Sequence, residues 1–196
     1  MSSPGYGRMR VVAEQRREPL VPSGVMGMLL FVFTELMLFA GLISAFTISR
    51  SSAVVWPPPG QPRLPFETTA FNTAILLASG VALFWARRRF RIQRASARLP
   101  LALAIALGAF FVIAQGREWV AMIGQGLTLT SSALGSFFYM IVGVHGLHAL
   151  GALGLLGVTY ARLRRGWLAS SQLGTAEVLW YFVVGVWPVI WLVVYR

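Results

Sequence analysis

A chain of 196 residues in which 57% are hydrophobic and 12% charged is more apolar and far less charged than a soluble domain, where the shares are about 45–50% and about 25%. A mean hydropathy of +0.69, with seven Trp, thirteen Phe and twenty Gly, fits a polytopic helical membrane protein, because interfacial aromatics and glycine are enriched in such helices. Disorder, collagen and a disulfide scaffold are excluded. The net charge of +11 is carried by 17 Arg without any Lys; the arginines cluster between apolar runs, so they read as retention at a membrane surface, not as nucleic-acid contacts. The absence of Cys removes thiolate metal sites, disulfides and cysteine catalysis. Two His and six acidic residues, all Glu, remain for chemistry.

Crossing about 30 Å of hydrocarbon takes about 20 apolar residues per helix, and five segments qualify. Residues 1–22 hold four arginines and no apolar run ahead of a cleavage site, so they are predicted to be a cytoplasmic tail. The rest, 23–196, is predicted to be one all-α membrane domain. Its first helix covers about 23–48, with Ser23 as its cap, and the second about 68–86. The third covers about 99–123, with Pro100 in its first turn and Arg117 and Glu118 towards the other interface. The fourth covers about 133–161 and the fifth about 175–195, with Pro188 predicting a kink. The connection 49–67 carries Trp56-Pro57-Pro58-Pro59-Gly60-Gln61-Pro62 and Pro65, which favours a stiff, extended polyproline II course with an interfacial Trp anchor. Thirteen arginines fall in 1–22, 87–98 and 162–165 against four elsewhere. The N-terminus is therefore expected on the cytoplasmic side and the C-terminus outside, in keeping with an odd number of helices.

Few residues could carry chemistry. Glu35 falls near the middle of the first helix, where a carboxylate costs about 2.5–3.5 kcal/mol on insertion scales. It reads either as a proton-handling or partner-binding group or as a neutral carboxyl hydrogen-bonded to another helix, and in both cases it should face protein. His145 and His148 stand three apart on one face of the fourth helix. Without a third ligand they do not define a metal site, and hydrogen bonding to other helices or backbone is the simpler reading. Gly143, Gly146, Gly151, Gly154 and Gly157 fall within roughly 140° of arc on the opposite side, a stripe for close helix packing. Glu67 and Glu177 are placed at helix starts, where the dipole favours a carboxylate. Arg162, Arg164 and Arg165 follow the charge rule or bind lipid phosphate. No nucleophile elbow, P-loop, dinucleotide fingerprint or zinc signature is present.

In this order the motifs resemble subunit III of the haem–copper oxidases, the cytochrome c oxidase subunit 3 family. They are Thr34-Glu35-Leu36-Met37-Leu38-Phe39-Ala40-Gly41, Trp56-Pro57-Pro58, Asn72-Thr73-Ala74-Ile75-Leu76-Leu77-Ala78-Ser79-Gly80 with Trp85-Ala86, Gln115-Gly116-Arg117-Glu118-Trp119, and Gly135-Ser136-Phe137-Phe138 leading into Gly143-Val144-His145-Gly146-Leu147-His148. The resemblance implies an accessory subunit without haem or copper, packed on the catalytic subunit I of a proton-pumping aa3-type oxidase that also contains subunit II, in a bacterial cytoplasmic membrane. Haem a and copper would lie in the partner subunits and phospholipid would be bound. It implies contact with subunit I and support of proton uptake for Glu35, lipid head-group binding for Arg162 and Arg165, and structural roles for Trp56, Pro57, Pro58, Asn72, Glu118, His145 and His148. Two departures stand out. The family's longer form has seven helices and the match starts at its third, so its lipid-filled V would need other segments. The family's Trp-His-Phe-Val-Asp run also reads Trp180-Tyr181-Phe182-Val183-Val184 here. Subunit III of a quinol oxidase and a nitric-oxide-reductase-associated relative are alternatives within the family. A small transporter would be expected to show inverted repeats or broken helices, and neither is visible. An intramembrane enzyme would need an acid–base or metal constellation, which the motifs do not supply.

Overall fold

The computed structural model describes residues 21–62 and 64–195. Most of the expected cytoplasmic tail, together with Arg63 and Arg196, lies outside the described residues. The described chain is all-helical and contains five helices long and apolar enough to cross a membrane: α1 (Ser23–Ser51), α2 (Phe66–Ile92), α3 (Arg98–Gly124), α4 (Ala133–Arg164) and α5 (Ser170–Val194). It is a multi-pass membrane protein.

The helices overrun the expected apolar limits, and at the ends of α2 and α4 the overrun is made by arginines. Arginine is a good helix former whose long stem lies along apolar surface while its head reaches water, so a helix does not stop where its hydrophobic run does. Arg87, Arg88, Arg89 and Arg91, expected in a loop, lie on the last turns of α2. The Arg88 guanidinium sits 5.0 Å above the Phe84 ring. Arg94 lies in a single 3-10 turn (Arg94–Ala97) and Arg98 opens α3. Arg162 and Arg164 are likewise in the last turn of α4.

Two starts also differ from expectation. Ser23 does not cap α1 but is its first residue; the Pro22 carbonyl accepts from the amides of Val25 and Met26 at 2.9 and 3.1 Å. The last helix begins at Ser170, not near residue 175, with the Gln172 side chain accepting from the Ala169 amide at 3.3 Å. Glu177 is therefore two turns inside α5, where its carboxylate lies 3.6 Å from Arg87. It is an ion-pair partner of α2 and not a group at a helix start.

The connection after α1 is not a continuous extended strand. It bends through turns, with a cis Trp56–Pro57 bond and Gly60 at φ 80°, a region that favours glycine. Trp56 is half-buried with its ring edge-on to Phe46 at 5.6 Å. Pro57, Pro62 and Leu64 line a cleft with Leu134, Val194 and Tyr195, so the loop covers the ends of α4 and α5.

α5 is the central post, packing on α1, α2 and α4, while α2 and α3 form a tight hairpin beside it. Two of its three tryptophans, Trp180 and Trp187, are fully buried. α1 lies at the periphery, with 11% of its most apolar window buried against 56% for α5. Only Phe39 and Phe46 of α1 are fully covered. The expected glycine packing stripe is not used among the described residues: a Cβ at Gly143, Gly151, Gly154 or Gly157 would meet nothing within 4 Å, and of the five Gly146 alone is closely approached, by the Trp119 ring. Packing also requires Gly108 of α3, where a Cβ would overlap the Trp180 ring, and Gly135 of α4, where one would meet the Thr128 carbonyl.

Overpacking a well-filled core costs about 1–3 kcal/mol. Gly108→Val is therefore expected to lower the unfolding midpoint of the detergent-solubilised protein, while Gly154→Ala leaves it unchanged; equal effects of the two in a thermal melt would contradict this packing.

Candidate functional site

Two buried polar clusters lie at different depths of the bundle. The first joins α1 to α4. His148 Nδ1 lies 2.8 Å from the Val144 carbonyl. A carbonyl only accepts, so Nδ1 carries the hydrogen and Nε2 is left facing Glu35, whose Oε2 is 3.1 Å away. The contact is at ion-pair distance, although Oε2 has no aligned hydrogen bond. His148 thus gives a carboxyl group inside hydrocarbon a polar partner from another helix. Both side chains are largely covered, at 16% and 17% exposure, by a collar of rings. Phe31, Phe39 and Phe182 place their centroids 6.0, 5.9 and 5.8 Å from that of His148.

His145, one turn away, is 1% exposed and lies against Trp187 at 5.0 Å. Its ring nitrogens have no hydrogen-bond partner among the described residues, unlike the bonded histidine the spacing suggests. Among the described residues no group of three His, Cys, Asp or Glu side chains is arranged to hold a metal.

The second cluster gathers around Glu118 near the other end of α3. Its Oε1 accepts from Asn72 Nδ2 at 3.1 Å, and its Oε2 accepts from Gln115 Nε2 at 2.9 Å and from the Thr69 hydroxyl at 3.0 Å. Gln115 Nε2 also donates to the Tyr195 hydroxyl at 3.0 Å. Burial, followed by the nearby Glu118 carboxylate, holds the Tyr195 phenol well above its ordinary range, so it stays a neutral hydroxyl. Asn72 and Glu118, singled out separately in the sequence, are thus direct partners. Gln115 was part of the motif that holds Glu118, whereas Thr69 and Tyr195 were not singled out. Thr69 and Gln115 stand three residues before Asn72 and Glu118, a spacing that puts them on the same helix faces.

Tryptophan indoles tie α5 to α2. Trp180 Nε1 donates to Ser79 Oγ at 3.2 Å, Trp187 Nε1 to Thr73 Oγ1 at 2.9 Å, and Trp191 Nε1 to the Phe66 carbonyl at 3.3 Å. Val184 stands where the resemblance would place an aspartate; its Cγ1 lies 3.2 Å from where a Cβ of Gly80 would be, an apolar contact. Arg162 and Arg165 are exposed beyond the apolar part of α4. Neither touches the two clusters.

The fold and these sites define a polytopic α-helical membrane protein whose buried polar groups serve mainly to bind helices to one another. The family model described as cytochrome c oxidase subunit III matches residues 13–196. Proteins named cytochrome c oxidase subunit 3 share 34% identity over 179 residues in Pelomedusa subrufa, 35% over 187 in Lumbricus terrestris and 33% over 188 in Oryctolagus cuniculus. These alignments cover 86%, 90% and 90% of this chain and 67%, 71% and 71% of the relatives. The chain belongs to the cytochrome c oxidase subunit III family.

Leaving a buried donor unpaired costs about 1–3 kcal/mol. Thr73→Val, which removes the acceptor of the Trp187 indole, is expected to destabilise by that amount. Combining it with Trp187→Phe should cost less than the sum of the two single changes; strict additivity in a double-mutant cycle would show that the bond contributes nothing.

Proposed function

We propose that this chain is the accessory third subunit of a proton-pumping aa3-type cytochrome c oxidase of aerobic respiration, seated in a bacterial cytoplasmic membrane. In this reading it forms a hetero-oligomer with subunits I and II, which hold the haem a and copper. Its own contribution is to stabilise subunit I, retain phospholipid and support proton uptake. The arginine-rich ends of α2, α4 and the start of α3 face the cytoplasm, and the C-terminus lies on the opposite side.

The observation that carries this reading, beside family membership, is the Glu35–His148 pair. It is a carboxyl–imidazole contact made from the helix that this chain covers least. Phe33, Leu36, Met37 and Leu38 around Glu35 are exposed, which leaves apolar surface for a partner in the plane of the membrane. A group needed only to hold this bundle together would be expected on a central helix such as α5, not on the peripheral one. Arg162 and Arg165 are exposed beyond the apolar part of α4, which supports a role in binding lipid phosphates.

The tagged chain purified in mild detergent should bring down a large subunit and show haem a in a reduced-minus-oxidised spectrum. Haem b alone would instead favour the quinol or nitric-oxide-reductase branch, and a colourless protein would remove the oxidase reading. Within the complex, Glu35→Ala should weaken assembly, lower pumping stoichiometry or hasten inactivation during turnover. If all three are unchanged, Glu35 has no part in proton uptake or in contact with subunit I. Replacing Arg162 and Arg165 together with Ala should reduce the phospholipid that co-purifies, measured by phosphorus per haem; an unaltered ratio would leave the two arginines as topology determinants.

A further inference from the structure

Away from the two polar clusters, the arginine-rich end of the bundle carries an open notch of about 600 Å³ where α2 turns into α3. Trp85, Arg88 and Arg89 line it from α2, Leu99 and Leu103 from the start of α3, and Ser96 from the 3-10 turn between them. Spacings of three and four put the α2 residues on one face of the helix, over a rise of about 6 Å. Residues 87–98 hold six arginines, and no acidic residue falls between Glu67 and Glu118. Arg87 is paired with Glu177. The exposed side chains of Arg88 and Arg89 have no hydrogen-bond or ion-pair partner among the described residues. Stacking of the Arg88 guanidinium over the Phe84 ring engages its π face and leaves its N–H edge able to donate. The apolar side of the notch is equally open: Ile92 and Leu99, at the turn, are 84% and 79% exposed. Apolar side chains exposed beside arginines fit a hairpin end that lies at head-group depth and not in bulk water.

We infer that this notch binds one anionic phospholipid, with its phosphate on Arg88 and Arg89 and an acyl chain along Trp85, Leu99 and Leu103. One amphiphile meets both sides of the notch. A phosphate accepts from guanidinium N–H groups, bidentately where the geometry allows, while the chain covers the indole and the leucines. The Ser96 hydroxyl gives its hydrogen to the Gln93 carbonyl at 2.7 Å, so the phosphate is left to the two arginines. A zwitterionic head group brings a cation into a field of six arginines, which repels it. A free phosphate would leave the apolar side uncovered. Arg162 and Arg165 do not line the notch, so this site is separate from the lipid contact proposed for α4. The inference rests on the hairpin and its charge and is independent of the oxidase reading.

Two measurements test it on the full chain, in whatever assembly it brings down in mild detergent. In the first, the protein is equilibrated with equal amounts of phosphatidylglycerol and phosphatidylcholine, and the lipids it retains are counted by native mass spectrometry. Arg88→Gln combined with Arg89→Gln should lose one retained phosphatidylglycerol and no phosphatidylcholine. Arg91→Gln combined with Arg94→Gln removes the same charge from the same end of the bundle outside the notch, and should lose neither. Equal losses from the two double variants would mean a diffuse surface field, and loss of neither lipid from the first, or of both alike, would equally overturn the site. The second measurement needs no variant. A cryo-electron-microscopy map of the unaltered protein should show head-group density against Arg88 and Arg89 continuous with chain density beside Leu103. An empty notch, or an acidic protein segment seated in it, would overturn the proposal.

Discussion

Hydrocarbon around a helix removes the solvent that would otherwise complete the hydrogen bonds of its polar side chains, and lipid gives almost no apolar driving force for one helix to join another. Each polar group turned inward must then be matched from a neighbouring helix, and that matching decides which helices meet and in what register. In this chain the requirement is met chiefly along the seam between α5 and α2. The indole N–H groups of Trp180 and Trp187 reach hydroxyls of Ser79 and Thr73, two turns apart on one helix and nearly two on the other. The same indoles are the bulkiest fully buried side chains, so one pair of residues supplies both the packing and the registration. Gly108 of α3 allows the Trp180 ring to lie where it does.

Glu118 shows the same constraint applied to a charge. It draws donors from α2 and from its own helix, and Gln115 carries the network on to Tyr195 at the end of α5. Three helices are thereby joined near one membrane surface. The loop containing Trp56 and Pro57 covers the neighbouring ends of α4 and α5. At the other end the long arginines continue the helices into the interface, and the Arg87–Glu177 contact ties α2 to the first turns of α5.

Against this background Glu35 and His148 are unlike the other polar groups. They join α4 to the helix that contributes least to the core, so their pairing adds little to the seam that organises the bundle. The rings of Phe31, Phe39 and Phe182 pack against His148. The contact instead gives Glu35 a polar partner on a helix whose neighbouring apolar side chains are exposed.

The number of helices, their order and the membrane setting were legible in the sequence because hydropathy over about 20 residues is a local property that no tertiary contact needs to complete. Family motifs marked Glu35, Asn72, Glu118 and the two histidines for the same local reason. Helix ends were less legible, because apolar runs stop at the hydrocarbon boundary whereas the backbone continues as long as arginine stems can reach water, as in α2 and α4. Which polar residue pairs with which is a matter of helix rotation and depth. Only the tertiary structure decided that Glu35 meets His148, that Asn72 meets Glu118, that Glu177 faces Arg87, and that most of the α4 glycines meet nothing in this chain. Periodicity places side chains on a face, but the face opposite is set by the summed packing of all five helices.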